Sequence, residues 1–432
     1  MPKGGKKKAS KKVLNSQPPS DEEYDTGDNY STASVLSEDL SGVSEDGEIG
    51  GGGGSDEISA QENLEDKLKD GLEGLSQKSA QGRKSCIEGI SKALSKKYIY
   101  EFLTDRKVTV TDALLRCLKK GSGDEQAVSA KCLSLLCIQL GNEIEGDFKD
   151  VHSLLLTVLS DNTAAVQARS ECAMTLAISS FLTCTDISIV EDSMIALENI
   201  FKASYRKGDK TIPNHPPQIT KLHACALSSW SLLISIAPNF SVQKKIEQHL
   251  SRLSDLLESP DVELRIVAGE TIALLYELAR EDNEDYEGDD MCELCATLKT
   301  LATDSHKYRA KKDRKMQRSS FRDILRGVEE GDVPDLSIRF GRESIDIDSW
   351  TRRKQYDSLC QALGSGVNQH LQDNIVVREV FGLGPAIPSS SMPSQKASKW
   401  ERSHYNAAVF KARTKARSKH RDKRSTVVNG CD

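Results

Sequence analysis

Apolar residues recur with the period of an α-helix from about residue 62 onward. One stretch of this kind runs to about residue 75, and a second opens at Ser79, a residue type that commonly caps the start of a helix. Together the two stretches predict a pair of consecutive helices. The residues that carry the pattern are Leu64, Leu68, Leu72 and Leu75 in the first stretch and Cys86, Ile87, Ile90 and Leu94 in the second.

Apolar helical segments like the second stretch recur along the chain. They open at Ser79, Asp124, Thr163, Pro217 and Asp261, and most of the intervals match the repeat length of about 40 to 47 residues in solenoids of paired helices. Strand signals are nearly absent. We therefore predict an all-α, armadillo/HEAT-like solenoid over residues 61–303. The more polar stretches that would supply its outer helices are 110–120, 148–159, 187–205 and 242–257.

The apolar residues of the inner helices are expected to form the core of this solenoid. Leu133, Trp230 and Leu275 are examples, since large apolar side chains within a helical pattern are far more often core than ligand contacts. Arg265 and Glu270 interrupt the last apolar segment. We expect them to form a helix-end ion pair or to face solvent.

Beyond residue 303 the composition changes several times. We predict that 304–382 continues the helical domain and carries a basic patch, that 383–398 is a Gly/Pro linker, that 399–424 is a projecting basic helix, and that 425–432 is a disordered tail. Within 304–382, the pattern predicts a short β-hairpin over Ile338–Ile347 and helices over Trp350–Leu363 and Leu371–Phe381. Gly364 and Gly366 are typical of a helix C-terminus.

Residues 1–60 are rich in Ser, Gly, Asp and Glu and contain five consecutive glycines at 50–54. Such a segment cannot bury enough apolar surface to fold, so we predict a disordered arm. Its first residues, Lys3–Lys12, are basic, whereas residues 13–66 contain no Lys or Arg. The net charge of −6 therefore hides a strong asymmetry, and the acidic part of the arm is suited to compete with nucleic acid for basic residues elsewhere.

The strongest charge pattern lies in FKARTKARSKHRDKR, residues 410–424, where basic residues occupy every second position and Asp422 is the only acid. On a helix these cations would spread around the whole circumference, and the small residues between them leave no apolar stripe. A helix of this kind suits an RNA-lined channel. A solvated tail or a nuclear localisation signal is the alternative. The predicted RNA contacts are Lys411, Arg413, Lys415, Arg417, Lys419, Arg421, Lys423 and Arg424.

A second basic run, HKYRAKKDRKMQR, covers residues 306–318 and contains one acid, Asp313. Dense positive charge at the end of a solenoid provides a patch for a phosphate backbone. The alternative is a solvated helix face. The residues of this secondary patch, expected to contact rRNA or a ribosomal protein, are Lys307, Arg309, Lys311, Lys312, Arg314, Lys315 and Arg318.

No catalytic or metal-binding constellation stands out in the sequence. Cys292 and Cys295 form a lone CxxC without a second pair, and no zinc-protease, phosphate-loop or nucleophile-elbow motif occurs. Without a signal peptide or an apolar run that could span a bilayer, the eleven cysteines predict reduced core residues of an intracellular protein. We therefore expect a binding protein, with no enzymatic activity, metal, cofactor, membrane or small-molecule substrate.

Several motifs resemble the interferon-related developmental regulator family over residues 62–424. They are LEDKLK at Leu64, CLKKG at Cys117, LRIVAGETIALLYELAR at Leu264, LATDSHKYRAKKDRK at Leu301, LGSGVNQHLQ at Leu363 and HYNAAVFKARTKARSKHRDKR at His404. The last is the most specific. ATDSHKYRAK and FGLGP resemble the second vertebrate member more than the first.

The resemblance implies an armadillo- or HEAT-like solenoid and two functions. In one, the protein binds inactive ribosomes in the cytoplasm and inserts its basic C-terminal helix into the mRNA and tRNA path, so that translation is repressed. In the other, it is a nuclear co-regulator of transcription that acts during differentiation through histone deacetylase complexes. The all-round charge of residues 411–424 favours the ribosome, and RNA binding without the ribosome is a third, weaker alternative.

Overall fold

The computed structural model describes residues 55–183, 186–209, 211–288, 290–303, 311–333 and 336–386; for residues 55–61, 147, 148 and 311 it describes the backbone alone. The predicted N-terminal arm up to residue 54, the linker beyond 386 and the basic C-terminal helix lie outside these ranges. The helices are α1 Ser55–Gly74, α2 Ala80–Lys96, α3 Tyr100–Thr104, α4 Lys107–Lys120, α5 Gly123–Leu140, α6 Glu145–Ser160, α7 Val166–Thr183, α8 Ile187–Phe201, α9 Pro217–Ile234, α10 Asn239–Leu256, α11 Val262–Asp282, α12 Met291–Thr303, α13 Lys311–Glu330, α14 Trp350–Leu363, α15 Val367–Asp373 and α16 Ile375–Val380.

Six helix pairs form a solenoid; the spacing of the apolar segments predicts the first five, and the sixth, α12 with α13, extends beyond the predicted end at residue 303. Helices α2, α5, α7, α9, α11 and α13 stack on one another in an inner row, and each packs against an outer partner, namely α1, α4, α6, α8, α10 and α12. The all-α helical-repeat fold is thus confirmed over the described residues. Helix α1 begins at Ser55, earlier than the residue-61 boundary that we predict.

The inner helices between the two ends of the row, α5, α7, α9 and α11, are extensively buried because each lies between two inner neighbours and one outer partner. Helix α5 shows this clearly: thirteen of its eighteen residues are buried, and many of these are Ala, Ser, Cys or Leu. Small residues allow neighbouring helices to approach closely, and a helix that is apolar all round belongs in the interior. Local signals fix the helix starts: Ser122 and Asp261 accept hydrogen bonds from backbone N–H groups in the first turns of α5 and α11.

After α13 the chain leaves the solenoid pattern. Strands β1 (Leu336–Phe340) and β2 (Glu343–Ile347) form an antiparallel hairpin in which Leu336 pairs with Ile347, and Gly341 adopts a positive φ at the turn. The predicted hairpin is confirmed and begins two residues earlier than expected. Helix α14 has the predicted bounds and ends at Gly364, which also has a positive φ.

The predicted helix over Leu371–Phe381 is wrong in one respect, because the chain breaks at Asn374. There α15 ends and Asn374 caps α16 by accepting hydrogen bonds from the backbone N–H groups of Val376 and Val377. We call residues 336–386 the strap. Its helix α14 packs across α11, α9, α5 and α2, α15 packs on α2, and α16 packs on α5. Residues 336–386 therefore fold back along the inner row and do not extend it.

Candidate nucleic-acid interface

The second basic run lies partly on α13. Lys307 and Arg309 fall outside the described residues, and Lys311 begins the helix. Four further members of the run follow Lys311 in the first two turns, where Lys312 and Lys315 are exposed while Arg314 and Arg318 are partly exposed. Residues 311–322 of this helix contain six basic residues and one acid. The structure therefore gathers the described part of the predicted patch on one helix.

Helical spacing extends this patch beyond the residues we predict. Steps of three, four and four residues align Lys315, Arg318, Arg322 and Arg326 along one side of α13. We call these four residues the basic stripe. Arg322 and Arg326 are exposed, and Arg326 forms an ion pair with Asp332. The sequence run ends at Arg318, so a search for contiguous charge misses the last two members, whereas the helical period includes them.

The opposite side of α13 is buried and fixes the helix. Phe321 and Ile324 are fully buried against α11, where a Cβ atom on Gly269 would lie 2.8 Å from Ile324 and 2.9 Å from Phe321. Gly269 thus permits a close approach of the two helices. The basic stripe is consequently held on a rigid element of the inner row.

Polar contacts add to this packing. Arg265 of α11 is buried and donates hydrogen bonds to the Ser259 carbonyl and to Gln317 Oε1, the latter at 2.6 Å. Our expectation of a helix-end ion pair or a solvent-facing position is therefore wrong for Arg265, since its side chain is buried and both terminal nitrogens of the guanidinium donate to carbonyl and amide oxygens. On the strap side, Arg353 Nη1 lies 3.4 Å from Asp323 of α13.

The strap covers the inner row through hydrogen bonds that reach far along the sequence. His370 Nε2 lies 3.0 Å from the Leu94 carbonyl, and Asn374 Nδ2 donates to the Ile138 carbonyl at 2.9 Å. At the other end, the carboxylate of Glu277 accepts from the backbone N–H groups of Trp350 and Thr351. This part of the inner face is occupied by the chain itself.

Charged groups of the strap are buried against the solenoid, and their surroundings shift their pKa values. Burial raises the pKa of Glu270 and of Asp357 and lowers that of Lys354, although Lys354 attracts both acids. Glu270 thus lies close to the strap cations Arg353 and Lys354 in the interior of α11, whereas we expect a helix-end ion pair or a solvent-facing position. Burial also lowers the pKa of His370 to about 4, so this side chain is neutral at pH 7.

Arg378 holds the last turns of the strap together. Its side chain is buried and forms a bidentate pair with Glu343 of β2, at 2.8 and 2.9 Å. The same guanidinium donates to the carbonyls of Leu371, Gln372, Gly384 and Pro385. The chain segment that precedes the basic C-terminal run is therefore fixed to the hairpin up to about residue 385, and Lys411–Arg424 lie beyond the described residues.

The other candidate sites have no further support within the described ranges. No group of three or more His, Cys, Asp or Glu residues there is arranged to hold a metal ion. Cys292 is exposed and Cys295 buried, and both are free thiols. Among the helices that the structure describes, none combines the length and apolar character needed to cross a membrane.

Two family models match most of the chain between them. The one described as "Interferon-related developmental regulator (IFRD)" matches residues 29–329, and the one described as "Interferon-related protein conserved region" matches residues 374–425. The second match contains the strap helix α16 and the whole basic run at 411–424.

Curated relatives are similar over most of their length. The chain is 44% identical over 382 residues to Interferon-related developmental regulator 2 of Mus musculus, covering 88% of this chain and 87% of that protein. It is 45% identical over 377 residues to Interferon-related developmental regulator 1 of Homo sapiens, covering 86% and 83%. Because the two identities are nearly equal, they do not distinguish the second vertebrate member from the first.

Solved structures of helical-repeat proteins also match. A designed armadillo repeat protein aligns with a TM-score of 0.38 and 15% identity, covering 60% of this chain and 99% of that one. An engineered protein aligns with a TM-score of 0.41 and 15% identity, covering 63% and 59%.

Proposed function

The chain belongs to the interferon-related developmental regulator family, and on that premise we propose that it binds the ribosome and represses translation with its basic C-terminal run. The family and the helical-repeat fold indicate a regulator or scaffold, not an enzyme. In this proposal Lys411–Arg424 enter the mRNA and tRNA path of an inactive ribosome and contact rRNA, while the solenoid contacts rRNA or ribosomal proteins from outside the path.

The alternating cations of residues 411–424 carry the proposal. Charge at every second position surrounds a helix, and a channel lined by rRNA presents phosphate on all sides. Two further observations support it. The conserved-region match at 374–425 includes this run, and α13 carries a second, rigid set of cations on the solenoid itself. A localisation signal alone needs neither a fixed solenoid surface nor charge on every side of a helix.

A sucrose gradient of cell lysate tests the proposal. The intact chain is expected to sediment with 80S particles. A variant in which the basic residues of Lys411–Arg424 are replaced by Gln should stay at the top of the gradient. The matched control replaces the basic residues of Lys3–Lys12 by Gln, which also removes positive charge, and it should sediment like the intact chain.

The gradient also separates this function from its alternative. The second reading is a nuclear co-regulator that works in differentiation through histone deacetylase complexes, and it places the working surface on the solenoid. If the intact chain never sediments with ribosomes and is recovered with chromatin, the translational proposal fails. We propose a cytoplasmic location for the ribosome-bound protein, with a nuclear pool as the location that the alternative requires.

A further inference from the structure

The basic stripe of α13 differs from the C-terminal run in how it presents charge. Its four cations lie on one side of a helix whose other side is buried, and the first and last are eleven residue steps, or about 16 Å, apart. A surface of this kind touches its partner from one direction only. The partner must therefore offer a row of negative charge along its own outer face.

Two acids close to the stripe on α13 have ion-pair partners outside it, although Asp323 also attracts Arg322 and Arg326. Asp323 turns toward the buried Arg353 of the strap, and Glu329 pairs with Lys299 of α12 at 2.7 Å. Within the described residues no carboxylate lies within ion-pair distance of Arg318 or Arg322. These two arginines form the centre of the stripe, and Arg326 at its end is already paired with Asp332.

Two physical features favour a duplex over a single strand. Single-stranded nucleic acid is usually held by aromatic side chains on which its bases stack, and the described part of the stripe's side of α13 has no aromatic residue. Duplex RNA is recognised mainly through its shape and its backbone. A rigid row of cations about 16 Å long can follow such a backbone, because a nucleic-acid duplex carries on the order of ten phosphates over that length.

We propose that the basic stripe, centred on Arg318 and Arg322, binds the phosphate backbone of duplex RNA independently of sequence. The inference rests on the proposed function in that rRNA helices on the ribosome surface would be the natural partner. It goes further because it assigns to the solenoid a separate contact, which is made with duplex RNA. The stripe binds a duplex from outside while the C-terminal run is surrounded by RNA.

The test uses the full chain with the basic residues of Lys411–Arg424 replaced by Gln, so that the C-terminal run contributes no binding. Fluorescence anisotropy measures its affinity for a 20-base-pair RNA duplex and for a 20-nucleotide oligo-uridine over a range of salt concentrations. Arg318→Gln with Arg322→Gln is introduced into this background. The matched control is Lys119→Gln with Lys120→Gln, two exposed lysines at the end of α4.

We expect the background chain to bind the duplex more tightly than the single strand. The Arg318→Gln/Arg322→Gln pair should weaken duplex binding about tenfold or more and lower the slope of log affinity against log salt by about two, one for each lost phosphate contact. The lysine control should leave both quantities unchanged. Melting temperatures close to that of the background would show that the exposed substitutions leave the fold intact.

Three results would overturn the inference: no duplex binding by the background chain, equal binding of the arginine and lysine variants, or equal affinity for both RNA forms. Each is distinguishable from failure of the proposed function. Ribosome sedimentation of the chain with an intact C-terminal run reports on that function, and the duplex assay is carried out without the run.

Discussion

The solenoid and the strap share one hydrophobic core but differ in the sequence range of their contacts. Solenoid pairs contact their sequence neighbours through closely packed apolar residues, such as Leu133, Leu176 and Leu275, all fully buried. The strap reaches back to α2 and α5 through hydrogen bonds whose partners are 276 and 236 residues apart, from His370 and Asn374. Both regions bury apolar side chains, including Leu371 and Val377 of the strap, but the strap adds long-range polar contacts to this packing.

This difference implies that substitutions in the two regions should have different effects on stability. Apolar packing between neighbouring helices is cooperative, so a cavity there weakens the whole stack. The strap ends in side-chain contacts to backbone carbonyls, and we expect it to detach while the solenoid remains folded. The predictions below separate these two behaviours.

The largest effect is expected from a cavity in the inner row. Leu133 of α5 is fully buried, and Leu133→Ala should lower the free energy of unfolding by about 2–5 kcal/mol. Urea denaturation followed by circular dichroism measures this loss. The control is Val108→Ala, which truncates a side chain that is 53% exposed at the start of α4. If Leu133→Ala shifted the midpoint no more than the control does, the inner row would not be the cooperative core.

The next effect concerns the place where the strap meets α2. Gly366 has ordinary helical φ and ψ, but a Cβ atom there would lie 1.7 Å from the Ser95 carbonyl oxygen. Gly366→Ala must therefore displace the strap from α2, at a cost of about 3 kcal/mol. Gly89→Ala is the matched control, because its Cβ would have no neighbour within 4 Å.

Hydrogen exchange distinguishes this outcome from general unfolding. In Gly366→Ala the amides of α14, α15 and α16 should lose protection while those of α7 keep theirs. Equal loss in both regions would mean that strap and solenoid unfold as one unit, and the comparison between them would fail. Gly89→Ala should leave protection unchanged or raise it slightly, since Ala favours a helix interior.

Much of this architecture can be predicted from the sequence, and the part that cannot has a physical explanation. Helix periodicity and the 39- to 54-residue spacing identify the inner row, and α14 has the bounds that its pattern predicts. The break at Asn374 is missed because helix propensity alone does not show that its side chain caps α16 and also donates to Ile138. Long-range hydrogen bonds of this kind leave no period in the sequence.

The candidate interface, too, can be predicted only in part from the sequence. Contiguous charge identifies Lys312, Arg314, Lys315 and Arg318. The last two members of the exposed stripe, Arg322 and Arg326, can be recognised only once the buried face of α13 is known. The sequence likewise does not predict that the strap lies on the inner row, because the pattern of α14 indicates only one more amphipathic helix. Whether such a helix extends a solenoid or folds back on it depends on tertiary contacts.

A pH dependence of intermediate size is expected from His370 of the strap. Its Nε2 donates to the Leu94 carbonyl and its Nδ1 accepts from Asn374, so the neutral ring is fully satisfied. The folded-state pKa is lowered from 6.5 to about 4. The unfolded chain therefore binds more protons between these values, and stability should be complete above pH 6.5 and fall as the pH drops toward 4.

At pH 5 this loss amounts to about 2 kcal/mol relative to pH 7. His370→Gln removes the titrating ring, so its stability should change less between pH 7 and pH 5 than that of the unaltered chain. His223 of α9 has a similarly lowered pKa of about 4 and provides the solenoid's counterpart. His223→Gln should also flatten the profile, but only His370→Gln should remove the pH dependence of exchange in α15 and α16.

The smallest effect is expected from removing a serine N-cap, which can be done in the solenoid and in the strap alike. Ser79 caps α2 by accepting from Gly82 N at 3.2 Å, and Ser349 caps α14 by accepting from Arg352 N at 3.1 Å. Replacing either serine by Ala should cost about 1 kcal/mol. Because α2 belongs to the cooperative stack, Ser79→Ala should lower the global urea midpoint. Ser349→Ala should mainly raise local exchange in the strap. If both changes moved the global midpoint equally, the strap would be as much a part of the cooperative unit as any repeat, and its polar contacts would stabilise the fold as strongly as apolar packing does.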